Sequence, residues 1–447
     1  MRSASTTSSS TALMPQTPSA GQILLIPTPP PTPCPDPGAR PLIRPKARAP
    51  RAGISWDMRG GCATHAASRF GWGLGMNLVA KTDQSTGNHT YASYAIKSNE
   101  VIFAFTSPYG RRCPELVEHS VRPHPGFRQD EAQRFVVEHG LAARAIGILV
   151  GDCAAAYKAM TANGMAGVLE PAVFNGAGLE GEQLVAEVAL YGDVVLRLVE
   201  DRGFKGSFLG GYESVDTPPL SYGLQRMDHV VGNVYDLIRT RDYITKGTGF
   251  HEFAEFVASD VGTINSGLNS VVLASNNEMV LLPVNEPTFG TKRRSQIQTY
   301  LEQNQGPGLQ HIALKTDDIF ATLREMRQRT HCGGFDFMPK PNPVYYQRLP
   351  GRLGDALTAT QYKECEELGI LGDKDDQGVL LQIFTKPLGD RPTVFIEIIQ
   401  RVGCLIKDKS GREHQAAGCG GFGKGNFSEL FKSIEDYEKT LDAKAKA

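Results

Sequence analysis

Apolar residues alternate, give way to a polar step and then recur at helical spacing at several places along the chain. RMDHVVGNVYDLIRT (226–240) and GLQHIALKTDDIFAT (308–322) align without a gap, placing His229 over His311 and Asp236 over Asp318, seven residues on. Each reads as strand, turn and helix. ARAIGILVGDCAAAY (143–157) is a third copy, with Asp152 in the aspartate position and Ala145 where the histidines stand. The anchors 145, 229 and 311 are 84 and 82 residues apart. One further step back falls near residue 60, where GGCATHAASRFGWGLGM reads as the turn and helix of a degraded first copy. Four units, paired two and two, fill the chain, and the Gly-, Pro- and Ser-rich stretch 204–223 is the expected linker between the pairs.

The closing strands differ between the pairs. TVFIEIIQR (393–401) carries Glu397 in a strongly β-forming run, while its counterpart LYGDVVLRLVE (190–200) carries Arg197. A carboxylate buried in such a strand requires a partner. Related first strands converge when two units pair, so His229 and His311 are expected to meet, with Glu397 arriving on the last strand. Two imidazoles and one carboxylate form a facial set that suits non-haem Fe(II), one per chain. Strand parity puts Phe395 beside Glu397 and Gln382 beside Phe384, giving aromatic walls and a carboxamide near the metal.

Composition narrows the ligand. The chain has 447 residues, 40% hydrophobic and 21% charged, with a formal charge of -1 and a pI near 6.8. That balance gives no footprint for nucleic acid or an acidic membrane and favours a small molecule. No apolar run approaches the ~18 residues of a membrane span. Eight dispersed cysteines without a CxxC pair read as reduced packing residues of an intracellular protein. Residues 1–50, Ser/Thr-rich and then Pro-rich, with Asp36 their one acidic residue, read as a disordered leader. Its composition is that of an organelle transit peptide and equally of a plain tail.

GCGGFGKGNFSELF (418–431) has the GxxxxGK spacing of a phosphate loop, but Gly425 stands where Ser or Thr would hold Mg²⁺. Asn426 and Glu429 instead form a capping-box-like start to a helix with an apolar stripe. HEFAEF (251–256) lacks the second histidine of HExxH and reads as an ordinary helix face, and KTLDAKAKA (439–447) as a solvated helix end.

The ligand-bearing segments, together with SGLNSVVLAS (266–275), NEMVLLPVNEP (277–287), SQIQTYLEQNQGPGLQHIAL (295–314), GGFDFMP (333–339), DDQGVLLQIFTKPLGDRPTVFIEIIQR (375–401) and GCGGFGKGNFSELFKSIE (418–435), resemble the 4-hydroxyphenylpyruvate dioxygenases of the vicinal oxygen chelate superfamily. The resemblance runs from about Phe70 to the C-terminus and is nearest to the plant and algal members. It implies an α+β fold of four βαβββ-type units in two open barrels: a non-catalytic domain (51–203), the linker, and a catalytic domain (224–447) closed by a C-terminal lid helix. It implies the oxidation of 4-hydroxyphenylpyruvate by O₂ to homogentisate and CO₂, in tyrosine catabolism and in plastoquinone and tocopherol precursor supply. It also implies a homodimer in plastid or cytoplasm.

By position, His229, His311 and Glu397 match the family's iron ligands. Ser270, Asn285, Gln296, Gln310 and Gln382 match its polar pocket residues, and Phe384, Phe395, Phe422 and Phe427 its aromatic wall and gate. Strict alternation would point Gln310 away from His311. The chain departs from the family at 49–66, which lacks the regular first strand with an FHH-type motif. Three rivals share the fold: 4-hydroxymandelate synthase on the same substrate, an extradiol ring-cleaving enzyme on a catechol, and a non-catalytic binding protein.

Overall fold

The computed structural model describes residues 55–110, 118–121, 123–174, 180–257, 267–290, 294–407, 413–416, 418–426 and 429. The leader 1–50, Phe427, the lid helix and the 439–447 tail lie outside the described residues.

Four copies of one βαβββ unit account for most of the chain. The first is β1 (Ser55–Arg59), α1 (Ala63–Leu74), β2 (Asn77–Thr82), β3 (Tyr91–Ser98) and β4 (Val101–Pro108). After α2 (Gln129–His139) comes the second: β5 (Ala142–Leu149), α3 (Cys153–Ala162), β6 (Gly167–Phe174), β7 (Glu182–Tyr191) and β8 (Val194–Arg202). A two-residue strand, β9 (Glu213–Ser214), lies in the expected linker and pairs with β2. The third unit is β10 (Leu224–Asn233), α4 (Leu237–Thr248), β11 (His251–Phe256), β12 (Leu268–Ala274) and β13 (Leu281–Pro287). Following α5 (Gln296–Gln303), the fourth has β14 (Gly308–Thr316) and α6 (Ile319–Gln328), then two inserted helices, α7 (Pro343–Leu353) and α8 (Ala359–Leu368). It ends with β15 (Leu371–Lys374), β16 (Gly378–Phe384) and β17 (Phe395–Gly403). A short pair follows, β18 (Leu405–Lys407) with β19 (Glu413–Gln415).

The repeated aspartates have one job. Asp152, Asp236 and Asp318 are the N-caps of α3, α4 and α6, and each carboxylate accepts from the backbone N–H three residues on. Such a cap contributes about 1 kcal/mol and fixes where strand turns to helix.

Apart from the added edge strand β9, the nine- and eight-stranded sheets have matching strand orders: β6-β7-β8-β5-β1-β4-β3-β2-β9 and β11-β12-β13-β10-β14-β17-β16-β15. The first strands of paired units, β1 with β5 and β10 with β14, meet antiparallel at the middle of each sheet. Each is flanked on its other side, in parallel, by the last strand of its own unit. This arrangement is what brings first and last strands together around one concave face.

Apolar packing runs between the halves. Phe335 of the fourth unit lies 5.0 Å from Phe70 of α1, ring centroid to centroid, and Tyr222 Oη donates to Trp72 O at 2.8 Å.

Three sequence expectations are corrected. The stretch 49–66, read as lacking a regular first strand, holds β1, which pairs with β4 and β5 despite having no FHH-type motif. HEFAEF is strand β11, not a helix face; its pairing with β12 slips between Glu252 and Ala254, so Phe253 is an extra residue that disturbs the period of two. The cysteines are not all reduced: Cys404 and Cys419, 15 residues apart, are joined in a disulfide where the chain returns past the end of β17. Asn426 is fully buried, and its Oδ1 accepts from Tyr345 Oη at 2.8 Å; the helix it was expected to cap lies outside the described residues.

Candidate metal centre and its cavity

His229 on β10, His311 on β14 and Glu397 on β17 converge on the concave face of the second sheet, with one potential ligand atom from each within 4.8 Å of the others. Glu397 Oε2 lies 3.2 Å from His229 Nε2 and 3.4 Å from His311 Nε2. All three side chains are buried.

Both Nε2 atoms face inward because both Nδ1 atoms are engaged. His229 Nδ1–H donates to Asp228 Oδ1 and His311 Nδ1–H to Gln310 Oε1, each at 2.9 Å. These partners are sequence neighbours, which a regular strand would send to the opposite face. The β10–β14 ladder explains the exception. His229 pairs with Ala313 and Met227 with Leu314, leaving Asp228 as an extra residue on β10. Val231 pairs with His311 and Gly232 with Leu309, leaving Gln310 as an extra residue on β14. Two β-bulges thus re-aim one supporting side chain each, and Gln310 lines the cavity with His311, contrary to the alternation rule.

Charge is organised by the same contacts. Burial opposes the Glu397 carboxylate, but the hydrogen bonds of the two imidazoles bring its pKa down to about 2. Burial likewise opposes Asp228, yet Arg401 and His229 hold it well below the usual carboxylate range. Burial disfavours the charged form of His229; its bonds to Asp228 and Glu397 outweigh this and raise its pKa. For His311 burial prevails and the pKa falls.

Around this centre the cavity is lined by Ser270, Asn285, Gln296, Gln310, Gln382, Phe384, Phe395 and Phe422, all expected from the sequence. Phe395 stacks on His311, with centroids 4.9 Å apart and planes 17° from parallel, and Phe384 meets the same ring edge-on at 6.1 Å. Phe422 lies edge-on to His229 at 5.4 Å. Ser270 and Asn285 are cross-strand partners on β12 and β13. Gln382 Oε1 is buried with no hydrogen-bond partner among the described residues, so it offers an acceptor to a ligand.

The glycine-dense loop closes one side. Gly418, Gly420, Gly421 and Gly423 all have φ between 65° and 76°. A Cβ on Gly423 would fall 2.5 Å from Gln382 Oε1, so this glycine permits a close approach as well as a left-handed backbone.

Sequence reasoning missed Asp228 and Arg401, although Arg401 shares strand parity with Glu397, four residues before it. It also missed the apolar lining residues Phe256, Leu268, Val272 and Pro283.

The donor set fits a divalent iron. Two imidazole nitrogens with fixed tautomers and one ionised carboxylate point at one another, which is the ligand type and number of a two-histidine, one-carboxylate site. A second grouping, Glu138, His139 and Asp193, is of another kind. There the Arg134 guanidinium bonds Asp193 and Glu138 at 3.0 and 2.5 Å and supplies the positive charge.

The chain is 58% identical over 389 residues to a 4-hydroxyphenylpyruvate dioxygenase of Daucus carota, covering 86% of each. It is 58% identical over 395 residues to that of Arabidopsis thaliana, covering 86% of this chain and 87% of the relative. With the Danio rerio enzyme of the same name it shares 36%, covering 84% and 87%. Among solved structures, a variant of 4-hydroxymandelate synthase from Streptomyces coelicolor superposes with a TM-score of 0.69 at 21% identity, over 87% of this chain and all of that one, a likeness of fold alone. No protein-family model matches the chain.

Proposed function

The chain belongs to the 4-hydroxyphenylpyruvate dioxygenases, and on that premise we propose that His229, His311 and Glu397 hold a single Fe(II) and that the surrounding cavity orients the substrate on it. The enzyme converts 4-hydroxyphenylpyruvate and O₂ to homogentisate and CO₂. The observation that carries the site assignment is the convergence of the two Nε2 atoms on Glu397 Oε2, at 3.2 and 3.4 Å.

When bound, Fe(II) supplies redox activation of O₂ and positions for a chelating 2-oxoacid. The chain supplies the rest. Two neutral imidazoles and one carboxylate leave a Fe(II) centre a net positive charge, which an anionic 2-oxoacid balances. Phe384, Phe395 and Phe422 form faces for the substrate ring, and their packing around the histidines holds the metal side of the cavity dry. Ser270, Asn285, Gln296, Gln310 and Gln382 offer donors and acceptors at fixed positions, which orient the polar ends of the substrate. Phe422, on the glycine-dense loop, closes the cavity against water.

In this reading residues 51–203 form a non-catalytic domain and 224–447 the catalytic one, joined by 204–223. The chain works as a homodimer, and the plant relatives together with the composition of residues 1–50 support a plastid or cytoplasmic location. Anaerobic loading with Fe(II), followed by substrate and O₂, tests the assignment. Homogentisate with one CO₂ per O₂ is expected only after iron loading; full turnover without iron would overturn the metal assignment, and 4-hydroxymandelate as the product would overturn the reading of the reaction.

A further inference from the structure

Arg401 is a buried cation for which substrate and metal binding give no role. It lies on β17 four residues past Glu397, on the same face, and neither its side chain nor that of Asp228 is exposed to solvent. Its guanidinium grips Asp228 at two points, Nη2 to Oδ1 at 2.7 Å and Nε to Oδ2 at 3.0 Å. The same Oδ1 accepts from His229 Nδ1. On its other side, Nη1 donates to the backbone carbonyls of Cys419 and Gly421 at 2.5 and 2.6 Å, and the guanidinium carbon lies 5.4 Å from the Phe422 ring centroid. One rigid planar group therefore holds both the carboxylate that orients a metal-ligating imidazole and the loop that closes the cavity.

We propose that Arg401 is a positioning residue that ties the glycine-dense loop, through Asp228, to the orientation of His229, so that order in the loop and retention of the metal are coupled. This rests on the reading of His229, His311 and Glu397 as the metal site. The guanidinium cannot serve one side independently of the other, because its donors are fixed in one plane. If the loop moves away, two buried N–H groups lose their acceptors unless the guanidinium follows, and if it follows, it takes the Asp228 anchor with it. The Cys404–Cys419 disulfide holds the start of the loop beside the end of β17, where Arg401 lies, so the contact has a fixed base. Coupling between two such events is reciprocal: whatever the metal adds to loop order, loop order adds to metal affinity.

Lys424, exposed within the loop, provides a tryptic site for reading loop order. The experiment uses the full chain with and without Fe(II) under anaerobic conditions, and measures cleavage after Lys424 by mass spectrometry and loss of iron to a chelator. In the wild type, iron is expected to slow cleavage at least about fivefold. In Arg401→Lys, which keeps the charge but not the two-sided grip, that protection is expected to vanish while iron is lost about tenfold faster. Asp228→Asn, nearly isosteric, is expected to uncouple the two in the same way and serves if Arg401→Lys does not fold. Wild-type protection and wild-type iron loss in a folded variant would overturn the inference. A wild type that binds iron without any loop protection would overturn it too, whereas iron binding unaffected by His229→Ala would instead overturn the metal-site reading beneath it.

Discussion

Gln310 accepts a hydrogen bond from the ring of its own neighbour, His311, at 2.9 Å, because a bulge in β14 turns both side chains to the same cavity. Gln310→Leu removes the acceptor that holds the His311 tautomer. Iron affinity, measured by chelator competition, is expected to fall about 10–100-fold with the fold intact. An unchanged affinity would show that packing against Phe395 alone orients the ring.

The ligands themselves are less forgiving. His229→Ala, His311→Ala and Glu397→Ala are each expected to abolish turnover and stoichiometric iron binding, since each removes one of the three donors, from three strands, that meet there. Wild-type turnover in any one of them, with iron determined on the same sample, would refute the assignment.

The first sheet makes a prediction about acid stability. Arg197 there donates to Glu187 Oε1 at 2.7 Å and reaches Asp57 Oδ2 at 3.4 Å, while His124 Nε2 lies 3.0 Å from Glu187 Oε1. Burial opposes the Glu187 charge, but Arg197 and His124 hold its pKa well below the ordinary 4.5. Burial, with Arg197, pushes His124 below 6.5. Both folded values are depressed, so both contributions are full above the unfolded values and are lost as pH falls: that of His124 from about 6.5 downward, that of Glu187 from about 4.5. Glu187→Gln takes from the buried guanidinium the nearer of its two carboxylates, leaving Asp57 at 3.4 Å, and is expected to cost about 3–5 kcal/mol at pH 7, shrinking below pH ~4.5. Both tryptophans, Trp56 and Trp72, lie in the first half, so urea unfolding followed by their fluorescence reports on it. A cost independent of pH would contradict the scheme.

Gly423→Ala tests the loop. The new methyl would meet Gln382 at 2.5 Å on a backbone of φ 73°, and the left-handed strain alone is about 1–2 kcal/mol. A raised KM and a lower yield of homogentisate per O₂ are expected. Lys424→Ala, at an exposed neighbour, should leave both within about twofold, as surface changes do. ATP binding that Lys424→Ala abolishes would restore the phosphate-loop reading.

What the sequence made legible was whatever repeated or alternated. The aspartate caps and the equivalence of Ala145 with His311 and of Arg197 with Glu397 are carried by units that fold alike. Gly147 pairs with Arg197 as Ala313 pairs with Glu397. What stayed hidden lies where the period of two is broken. Asp228 and Phe253 are each the extra residue of a bulge, as is Gln310, which the family resemblance placed in the pocket against strand parity; no pattern of single-strand alternation marks which residue a partner strand will leave unpaired. The Cys404–Cys419 pair was hidden for a related reason, since it depends on how the chain returns after β17.

The guanidinium of Arg197 stands where the second half has the Glu397 carboxylate, among groups that balance its charge. A cation written into the chain cannot be chelated, competed away by another ion or withheld by the cell. On the proposed assignment, the first half therefore carries its own counter-charge in the sequence, and only the second takes its cation from outside the chain.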